Sequence, residues 1–382
     1  MHFYYFLGAA LVALVLGRGA PTRVSPQQNM LAAVLSVSQV SVQNTDSQSV
    51  RHLFDISGIS DPKAVAFSPD GNELWATSLL NKKSGVRVFD AHSGKNISSI
   101  VLEGGGGVEI VFSSDGSKVY VSQMETAKVF EIDSATKKIL RSFDTKGNWT
   151  KILALSADGK TLFASNWISD NVSEIDLQAG VVRRLIPTVR TPRGVYPTRD
   201  GSFLYVAGFD GGEIQKINLK TLEKKILFKN SGAMRHIVAD EGRGILFVSD
   251  MANSAIYRVY LKDDSVTEFA RTDANPNTIA LSQDKKVLIV SSRGKNATAD
   301  NYSIPGPEWG SVLLFDASSG TILDAIVAGN QPTALDISRD MKYFAFSDFL
   351  DARIQMFELP SYEALVAAGG GSSATYKNKL KK

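Results

Sequence analysis

Short runs of alternating apolar and polar residues recur along the chain from Ser49 to Glu358. A clear example joins Val65–Phe67 to Leu74–Ala76 through a Ser-Pro-Asp-Gly turn at residues 68–71. In such a turn proline presets φ, aspartate bonds its own backbone and glycine accepts a positive φ. This stretch therefore predicts a strand, a tight turn and a second strand.

The same turn returns six more times with changes. The aligned turn positions are Asp70, Asp115, Asp158, Asp200, Glu241-Gly242, Asp284 and Asp340, with successive spacings of 45, 43, 42, 42, 42 and 56 residues. A third strand, often ending at an acid as in Val86–Asp90, and a more polar fourth strand follow. Four short antiparallel strands in about 40–45 residues are typical of a propeller blade. The sequence predicts an all-β, seven-bladed β-propeller.

The two ends of the repeat region predict how the ring closes. The last unit has no fourth strand after Glu358, whereas a spare strand, Val50–Ile56, precedes the first turn. Pairing this N-terminal strand with the last blade would remove the exposed strand edges. We therefore expect the propeller to span residues 48–360. A short helix and a flexible, lysine-rich tail are expected over residues 361–382.

An apolar run from Phe3 to Gly17 precedes the repeats and is followed by Arg18-Gly19-Ala20. The run is shorter than the ~20 residues of a membrane span and fits the apolar region of a signal peptide. We predict a signal peptide over residues 1–20, a polar linker over 21–47, and no stable transmembrane span after cleavage. The mature protein would be periplasmic, on the cell surface or secreted. Because no Lys or Arg precedes the run, an uncleaved anchor stays an alternative.

Charge and cysteine content narrow the classes of function. The chain has 42 basic and 39 acidic residues, and four of its lysines lie in the last six positions, so the body is near neutral. This balance argues against nucleic acid as a partner. The absence of cysteine excludes disulfides, thiolate metal ligands and a cysteine nucleophile.

The turns and strands resemble a known family. The Ser-Pro-Asp-Gly turn, Val119–Ser122, Leu204–Val206 and the Phe-Asp-Ala-x-Ser-Gly turns look like those of the YVTN-type seven-bladed propellers of prokaryotic exported proteins. That resemblance, to a superfamily with YncE-like members, covers about four-fifths of the chain. It implies a propeller but no single function, because such propellers include binding modules, surface proteins and enzymes such as lactonases.

One aligned position in the blades predicts a binding site. Just before each first strand the chain has Lys63, Val108, Lys151, Arg193, Arg235, Asn277 and Thr333, and the next position adds Glu109 and His236. If the basic side chains point to the axis, they form a cationic mouth suited to a carboxylate, phosphate or sulfated ligand. The alternative is that they pair with acids such as Asp250 and Asp348 or face solvent.

A long loop in blade six, Arg293–Gly310, is a second candidate. Loops of this length in a compact fold are often lids or binding loops. Arg293 would join the ligand-binding set, and Tyr302, Glu308 and Trp309 could stack on a ligand or cover the channel. Trp149 and Trp167 fall at the same mouth. They could form a stacking platform for a sugar or aromatic ligand, but packing at the blade edge is the preferred interpretation.

Catalytic chemistry has weaker support in the sequence. The four histidines have no metal-ligand spacing, and no G-x-S-x-G motif is present. The best acid–base set is Glu109, His236, Asp250, Asp348 and Asp351. We therefore predict a monomeric binding module for a small anionic ligand or a protein partner, with no cofactor, no metal and no assigned catalytic residue. A lactonase-like hydrolase with carboxylates and a divalent metal, or a structural surface-display propeller, are the alternatives.

Overall fold

The computed structural model describes residues 49–80, 85–298, 303–371 and 373–382. These residues form seven four-stranded antiparallel sheets; six are built from strands hydrogen-bonded in chain order, and the seventh joins the first strand of the chain to the last three. The seven-bladed all-β propeller predicted from the sequence is confirmed. The predicted signal peptide, the whole predicted linker (residues 21–47) and Tyr302 lie outside the described residues. No helix within the described ranges is both long and apolar enough to cross a membrane.

Blades one to four follow each other along the chain. Blade one contains β2 (Pro62–Phe67), β3 (Glu73–Ser78), β4 (Val86–Asp90) and β5 (Asn96–Ile100); blade two contains β6 (Ile110–Phe112), β7 (Lys118–Gln123), β8 (Lys128–Asp133) and β9 (Ile139–Asp144). Blade three contains β10 (Thr150–Leu155), β11 (Thr161–Asn166), β12 (Asn171–Asp176) and β13 (Val181–Pro187); blade four contains β14 (Pro192–Pro197), β15 (Phe203–Gly208), β16 (Glu213–Asn218) and β17 (Lys224–Lys229).

The remaining blades complete the ring. Blade five contains β18 (Met234–Asp240), β19 (Ile245–Asp250), β20 (Ala255–Tyr260) and β21 (Val266–Arg271); blade six contains β22 (Pro276–Leu281), β23 (Val287–Ser292), β24 (Ser311–Asp316) and β25 (Ile322–Val327). Blade seven contains β26 (Pro332–Ile337), β27 (Tyr343–Asp348), β28 (Arg353–Glu358) and the N-terminal β1 (Arg51–Ile56). A 3₁₀ turn (Phe349–Asp351), the helix α1 (Tyr362–Ala367) and a second 3₁₀ turn (Tyr376–Lys379) are also present.

The repeated turn has the geometry that its residues predict. In blade one the Ser68 hydroxyl donates to Asp70 Oδ1 at 2.5 Å and accepts from the Glu73 NH at 2.9 Å. Gly71 has a φ of 76°, in the left-handed region that side chains with a Cβ rarely adopt. The turn therefore fixes the hairpin register from local chemistry alone.

The N-terminal strand closes the ring as expected. Strand β1 pairs antiparallel with β28, from Arg51 opposite Glu358 to Ile56 opposite Ile354. The buried carboxylate of Asp324 in blade six accepts hydrogen bonds from the backbone NH groups of Ser49 and Val50, each at 3.2 Å. Ring closure therefore depends on the β1–β28 strand pair and on hydrogen bonds from the N-terminal backbone to Asp324 of the neighbouring blade.

The hydrophobic core lies between the blades. Along β3, Leu74 packs in the cluster shared with blade seven, whereas Trp75 packs in the cluster shared with blade two. Because successive strand residues point to opposite faces, each blade is apolar on both faces and is buried by two neighbours. This packing of each blade between two neighbours holds the inner strands around the axis.

The C-terminal segment differs from the flexible tail that its lysines suggested. Tyr376 is only 1% exposed, and both Tyr376 and Leu380 pack in the cluster between blades five and six. The NH of Trp309 donates to the Leu380 carbonyl at 2.7 Å. Apolar residues interspersed with the lysines anchor this segment, so composition alone gave the wrong expectation.

Candidate functional site

The mouth residues lie inside the first strands, at an irregularity of the ladder. In six blades the aligned residue is the second of its strand and not, as predicted, the residue before it; in blade two, Val108 precedes β6 by two positions. In blade one, Pro62 is opposite Ser78 and Val65 is opposite Ala76, so three steps on β2 match two on β3. Such a bulge re-aims side chains and is frequent at functional sites.

Hydroxyl groups hold the bulges to one another. The Ser165 hydroxyl accepts from the Ile152 NH at 3.0 Å and donates to the Arg193 carbonyl of the next blade at 3.0 Å. Among the described residues, six blades have such a hydroxyl, from Thr77, Ser122, Ser165, Ser249, Ser291 and Ser347. These bonds position the backbone from which the mouth side chains project.

Blade four contacts the next blade differently at this position. Ala207 occupies the hydroxyl position, and Gly194 lies on the facing strand. A Cβ at residue 194 would lie 2.9 Å from the Arg235 carbonyl oxygen and 3.2 Å from the His236 Cα. Blades four and five therefore meet by close backbone approach, and this contact brings Arg193 next to Arg235.

A small axial cavity forms where the inner strands converge. It has a volume of about 20 Å³, enough for roughly one water molecule. Its lining residues are Lys63, Val108, Glu109, Ile152, Arg193, Arg235, His236 and Thr278. The structure thus brings together four of the predicted ligand-binding residues, Lys63, Arg193, Arg235 and His236, around one small space.

The cations at this cavity are desolvated and close to each other. Arg235 is 7% exposed, and within the described part of the chain its buried Nε has no hydrogen-bond partner. Burial, together with the positive charges of Arg193 and Arg293, lowers the pKa of Arg235 well below its ordinary value. Burial and the same arginines, with Arg235, also lower the pKa of Lys63. Burial is the larger cause of both shifts, and the neighbouring positive charges act in the same direction.

The two lysines of the mouth, Lys63 and Lys151, contact aromatic rings. The Lys63 ammonium lies 5.3 Å from the centroid of the Phe349 ring, a residue that the sequence analysis did not single out. The Lys151 ammonium lies 5.4 Å from the Trp149 ring and 3.8 Å from the Trp167 ring. The two tryptophans therefore contact a cation of the protein itself, and their stacking on a ligand stays a prediction.

Glu109 and His236 are the other titratable residues in the cavity wall. Burial raises the pKa of Glu109 to about 7, although the neighbouring arginines oppose the shift. Burial and the charge of Arg235 lower the pKa of His236 to about 4, so its imidazole is neutral at pH 7. His236 Nδ1 lies 3.1 Å from the Ile279 carbonyl oxygen.

The remaining acids of the predicted acid–base set are used elsewhere. Asp250 accepts from the Ala233 NH at 2.9 Å, and Asp348 accepts from the Gly329 NH at 2.9 Å and from Arg353 Nε at 2.8 Å. Asp351 accepts from the Asn330 NH at 2.7 Å. These carboxylates brace the connections between blades; they neither pair with the mouth cations nor join Glu109 and His236.

Arg293 and Trp309, the two residues of the blade-six loop in the predicted ligand-binding set, lie in different places. Arg293 donates to the Gln331 side chain and lies close enough to Lys63 and Arg235 to affect their pKa values. Trp309 instead lies against the C-terminal segment, where the Lys382 ammonium is 4.3 Å from its ring centroid. Arg293 therefore extends the cationic cluster, whereas Trp309 anchors the tail.

The sequence analysis did not identify one carboxylate near the axis. Asp336 of β26 accepts from the Phe67 NH at 2.8 Å, and burial raises its pKa to about 6. Asp336 occupies the strand position that Ala66 and Ala154 occupy in other blades. Aligning the blades at this position, as well as at the mouth position, would have identified it.

In the described ranges, no three His, Cys, Asp or Glu side chains are grouped so that they could hold a metal ion.

Comparisons with solved structures support the architecture. A hydrazine synthase chain from Kuenenia stuttgartiensis superposes with a TM-score of 0.65, over 84% of this chain and 99% of that chain. The identity is 17%, so the likeness concerns the fold alone.

Comparisons of sequence give the relationship. No protein-family model matches the chain. The uncharacterized protein YncE of Salmonella typhimurium is 32% identical over 85 residues, which cover 22% of this chain and 23% of that protein. Antigen Lp49 of Leptospira interrogans is 33% identical over 326 residues, which cover 82% of this chain and 71% of that protein. An identity of this extent over most of both proteins means that the chain belongs to the family of antigen Lp49, with a seven-bladed β-propeller fold.

Proposed function

We propose that this protein is a binding module that recognises an anionic group at its axial mouth. The observation that carries the proposal is the cluster of cations from several blades around one cavity. Its members are Lys63, Lys151, Arg193, Arg235 and Arg293. Among the described residues that line the cavity, Glu109 is the only acid.

The electrostatics of the cluster support an anionic ligand. Like charges brought out of water raise the free energy of the folded state, and each acts on its neighbours more strongly than in solvent. Lys63 and Lys151 contact aromatic rings, which attract a cation without cancelling its charge. An anion at the axis would relieve this repulsion and satisfy donors such as Arg235 Nε.

The size of the cavity defines how a ligand would enter. A space of about 20 Å³ does not hold a sugar or a nucleotide. Lysine has a flexible four-carbon stem, so the Lys63 ammonium can leave the Phe349 ring and admit one charged group. The ligand is therefore a small anion, or a larger molecule or protein partner that inserts a single charged group.

We also propose that the protein is exported and acts at the cell surface or outside the cell. The supporting features are the apolar run Phe3–Gly17 and a relative described as an antigen. Cell fractionation with detection of the intact chain tests this part. Recovery only from the cytoplasm would contradict it.

A thermal-shift titration tests the anion site. The full chain is titrated with phosphate, sulfate, citrate and a sulfated glycan in a buffer of low and constant ionic strength. A ligand that binds only the folded state raises the melting temperature in proportion to its occupancy. We expect at least one anion to raise it, and the Arg193→Ala/Arg235→Ala variant to lose the response.

Arg190 supplies a matched control. Its side chain is largely exposed and lies 3.9 Å from Asp210, three positions before Arg193. Arg190→Ala removes one positive charge from the connection that enters blade four and should retain the response. An equal loss in this variant would point to general charge screening, and the absence of a response to every anion would refute the site.

A further inference from the structure

Glu109 shares the axial cavity with the cations without pairing with them. Its carboxylate accepts a hydrogen bond from the Ile110 NH at 3.2 Å and, within the described part of the chain, forms no ion pair with a lysine or arginine. Lys63 and Arg235 line the same space. Opposite charges that face one cavity without contact leave a place for a group that bonds to both.

The hydrogen-bonding capacity of Glu109 restricts what that group can be. An ionised carboxylate only accepts hydrogen bonds, whereas Lys and Arg only donate them. A fully ionised oxyanion such as sulfate offers acceptors alone, so it would satisfy the cations but leave its oxygens against those of Glu109. Hydrogen phosphate has acceptor oxygens for the cations and an O–H that can donate to the carboxylate.

We propose that the axial mouth prefers an oxyanion that carries its own proton, hydrogen phosphate being the simplest, and that Glu109 determines this preference over sulfate. The inference rests on the anion site proposed above and adds its ligand class. Phosphodiesters and sulfate esters, which carry no such proton, fall outside that class.

The groups around Glu109 define the pH at which the preference operates. The charged and titratable residues that act on it or share its cavity are Lys63 from β2, Arg193 from β14, Arg235 and His236 from β18, and Asp336 from β26. His236 is neutral above pH 5, because burial lowers its pKa to about 4. Glu109 changes its protonation near pH 7, so a carboxylate at pH 8 becomes a hydrogen-bond donor at pH 5.5.

Isothermal titration calorimetry of the full chain tests the inference, with sodium phosphate and sodium sulfate as probes at constant ionic strength. At pH 8 we expect phosphate to bind at least about tenfold more tightly than sulfate, the difference typical of one charge-assisted hydrogen bond. At pH 5.5 the sulfate affinity should rise and the preference should disappear. This comparison uses the unmodified protein and does not depend on the folding of a variant.

Two substitutions locate the effect. Glu109→Gln keeps the shape of the side chain but adds an NH₂ donor, so sulfate binding at pH 8 should improve and the preference should collapse. Asp336→Asn changes the other carboxyl near the axis and should retain the preference. Loss of the preference in Asp336→Asn would mean that general channel charge, and not Glu109, sets the selectivity.

The outcomes separate the two proposals. Equal binding of phosphate and sulfate at pH 8, or an unchanged preference in Glu109→Gln, would overturn the role of Glu109 and leave the anion site standing. Failure of both anions to bind at either pH, together with no thermal shift from the other anions, would overturn the anion site itself.

Discussion

The Lys151 ammonium lies 3.8 Å from the centroid of the Trp167 ring, the closest cation–π contact at the mouth. The guanidinium carbon of Arg193, from the next blade, lies 5.0 Å from the same centroid. One indole thus faces two like charges from adjacent blades. An aromatic face attracts a desolvated cation without neutralising it, which offsets part of the free-energy cost of burying these charges.

A double-mutant cycle should detect this contact. Trp167→Leu removes the aromatic ring and Lys151→Met removes the charge, and each keeps an apolar side chain. We expect a coupling free energy of about 1–2 kcal/mol, because the site is desolvated. The measurement is the free energy of unfolding in urea for the wild type, both single variants and the double variant.

The control cycle combines Trp167→Leu with Lys63→Met. Lys63 contacts the Phe349 ring instead of Trp167, so this coupling should lie near zero. Equal coupling in both cycles would indicate a long-range charge effect and contradict a direct contact.

Removing a mouth cation should stabilise the protein and abolish its response to anions. Arg235→Met replaces a buried guanidinium, set among like charges, with an apolar side chain of similar length. We expect the free energy of unfolding to rise by about 1–2 kcal/mol at low ionic strength. Urea denaturation measures the change, with Arg190→Met as the exposed control expected to stay within about 0.5 kcal/mol of the wild type.

A destabilised Arg235→Met variant that still responds to anions would contradict this prediction. It would mean that Arg235 is a structural residue of the ring. A residue that is retained for a ligand is expected to lower the stability of the free protein while it is required for anion binding.

Stability should fall as pH rises from about 4.5 to about 7, through the contribution of Glu109. Its pKa is about 7 in the folded chain and near its ordinary value of 4.5 when unfolded, so the folded state binds more protons in this window. The stabilisation that Glu109 contributes to the folded state is complete below pH 4.5 and is lost as the pH rises past 7. It amounts to at most about 3 kcal/mol of the free energy of unfolding.

Glu109→Gln isolates that contribution. The free energy of unfolding of the wild type, relative to this variant, should decrease between pH 4.5 and pH 8 in urea titrations. Parallel pH profiles for the two proteins would show that Glu109 keeps an ordinary pKa, and would remove support for its role as a pH-dependent hydrogen-bonding group.

The C-terminal segment should contribute to global stability. Tyr376→Ala removes a side chain that is 1% exposed and packs between blades five and six. We expect a loss of about 3 kcal/mol, from apolar burial and the cavity that remains. Lys377→Ala, at an exposed neighbouring position, should change stability by less than about 0.5 kcal/mol. Similar small effects from both variants would indicate that the segment does not pack as described.

The site was only partly predictable from the sequence. The blade alignment identified Lys63, Lys151, Arg193 and Arg235 as one set, because equivalent positions of repeats occupy equivalent places around an axis. It did not identify Phe349 or the bulges that turn these side chains inward. It also placed Trp309 at the mouth, since position within a loop does not reveal that a distant segment covers the residue.

The sequence by itself determined the number of blades, the hairpin turns and the closing strand. These features depend on contacts a few residues apart, such as Ser68 with Asp70, or on a strand pattern that repeats with one period. Tertiary structure decided which charges meet. Asp348 pairs with Arg353 and the Gly329 NH, whereas Glu109 faces the mouth cations without contacting them. Electrostatic interactions and pKa values depend on distance and desolvation in three dimensions, and neither quantity is encoded in the spacing of residues along the chain.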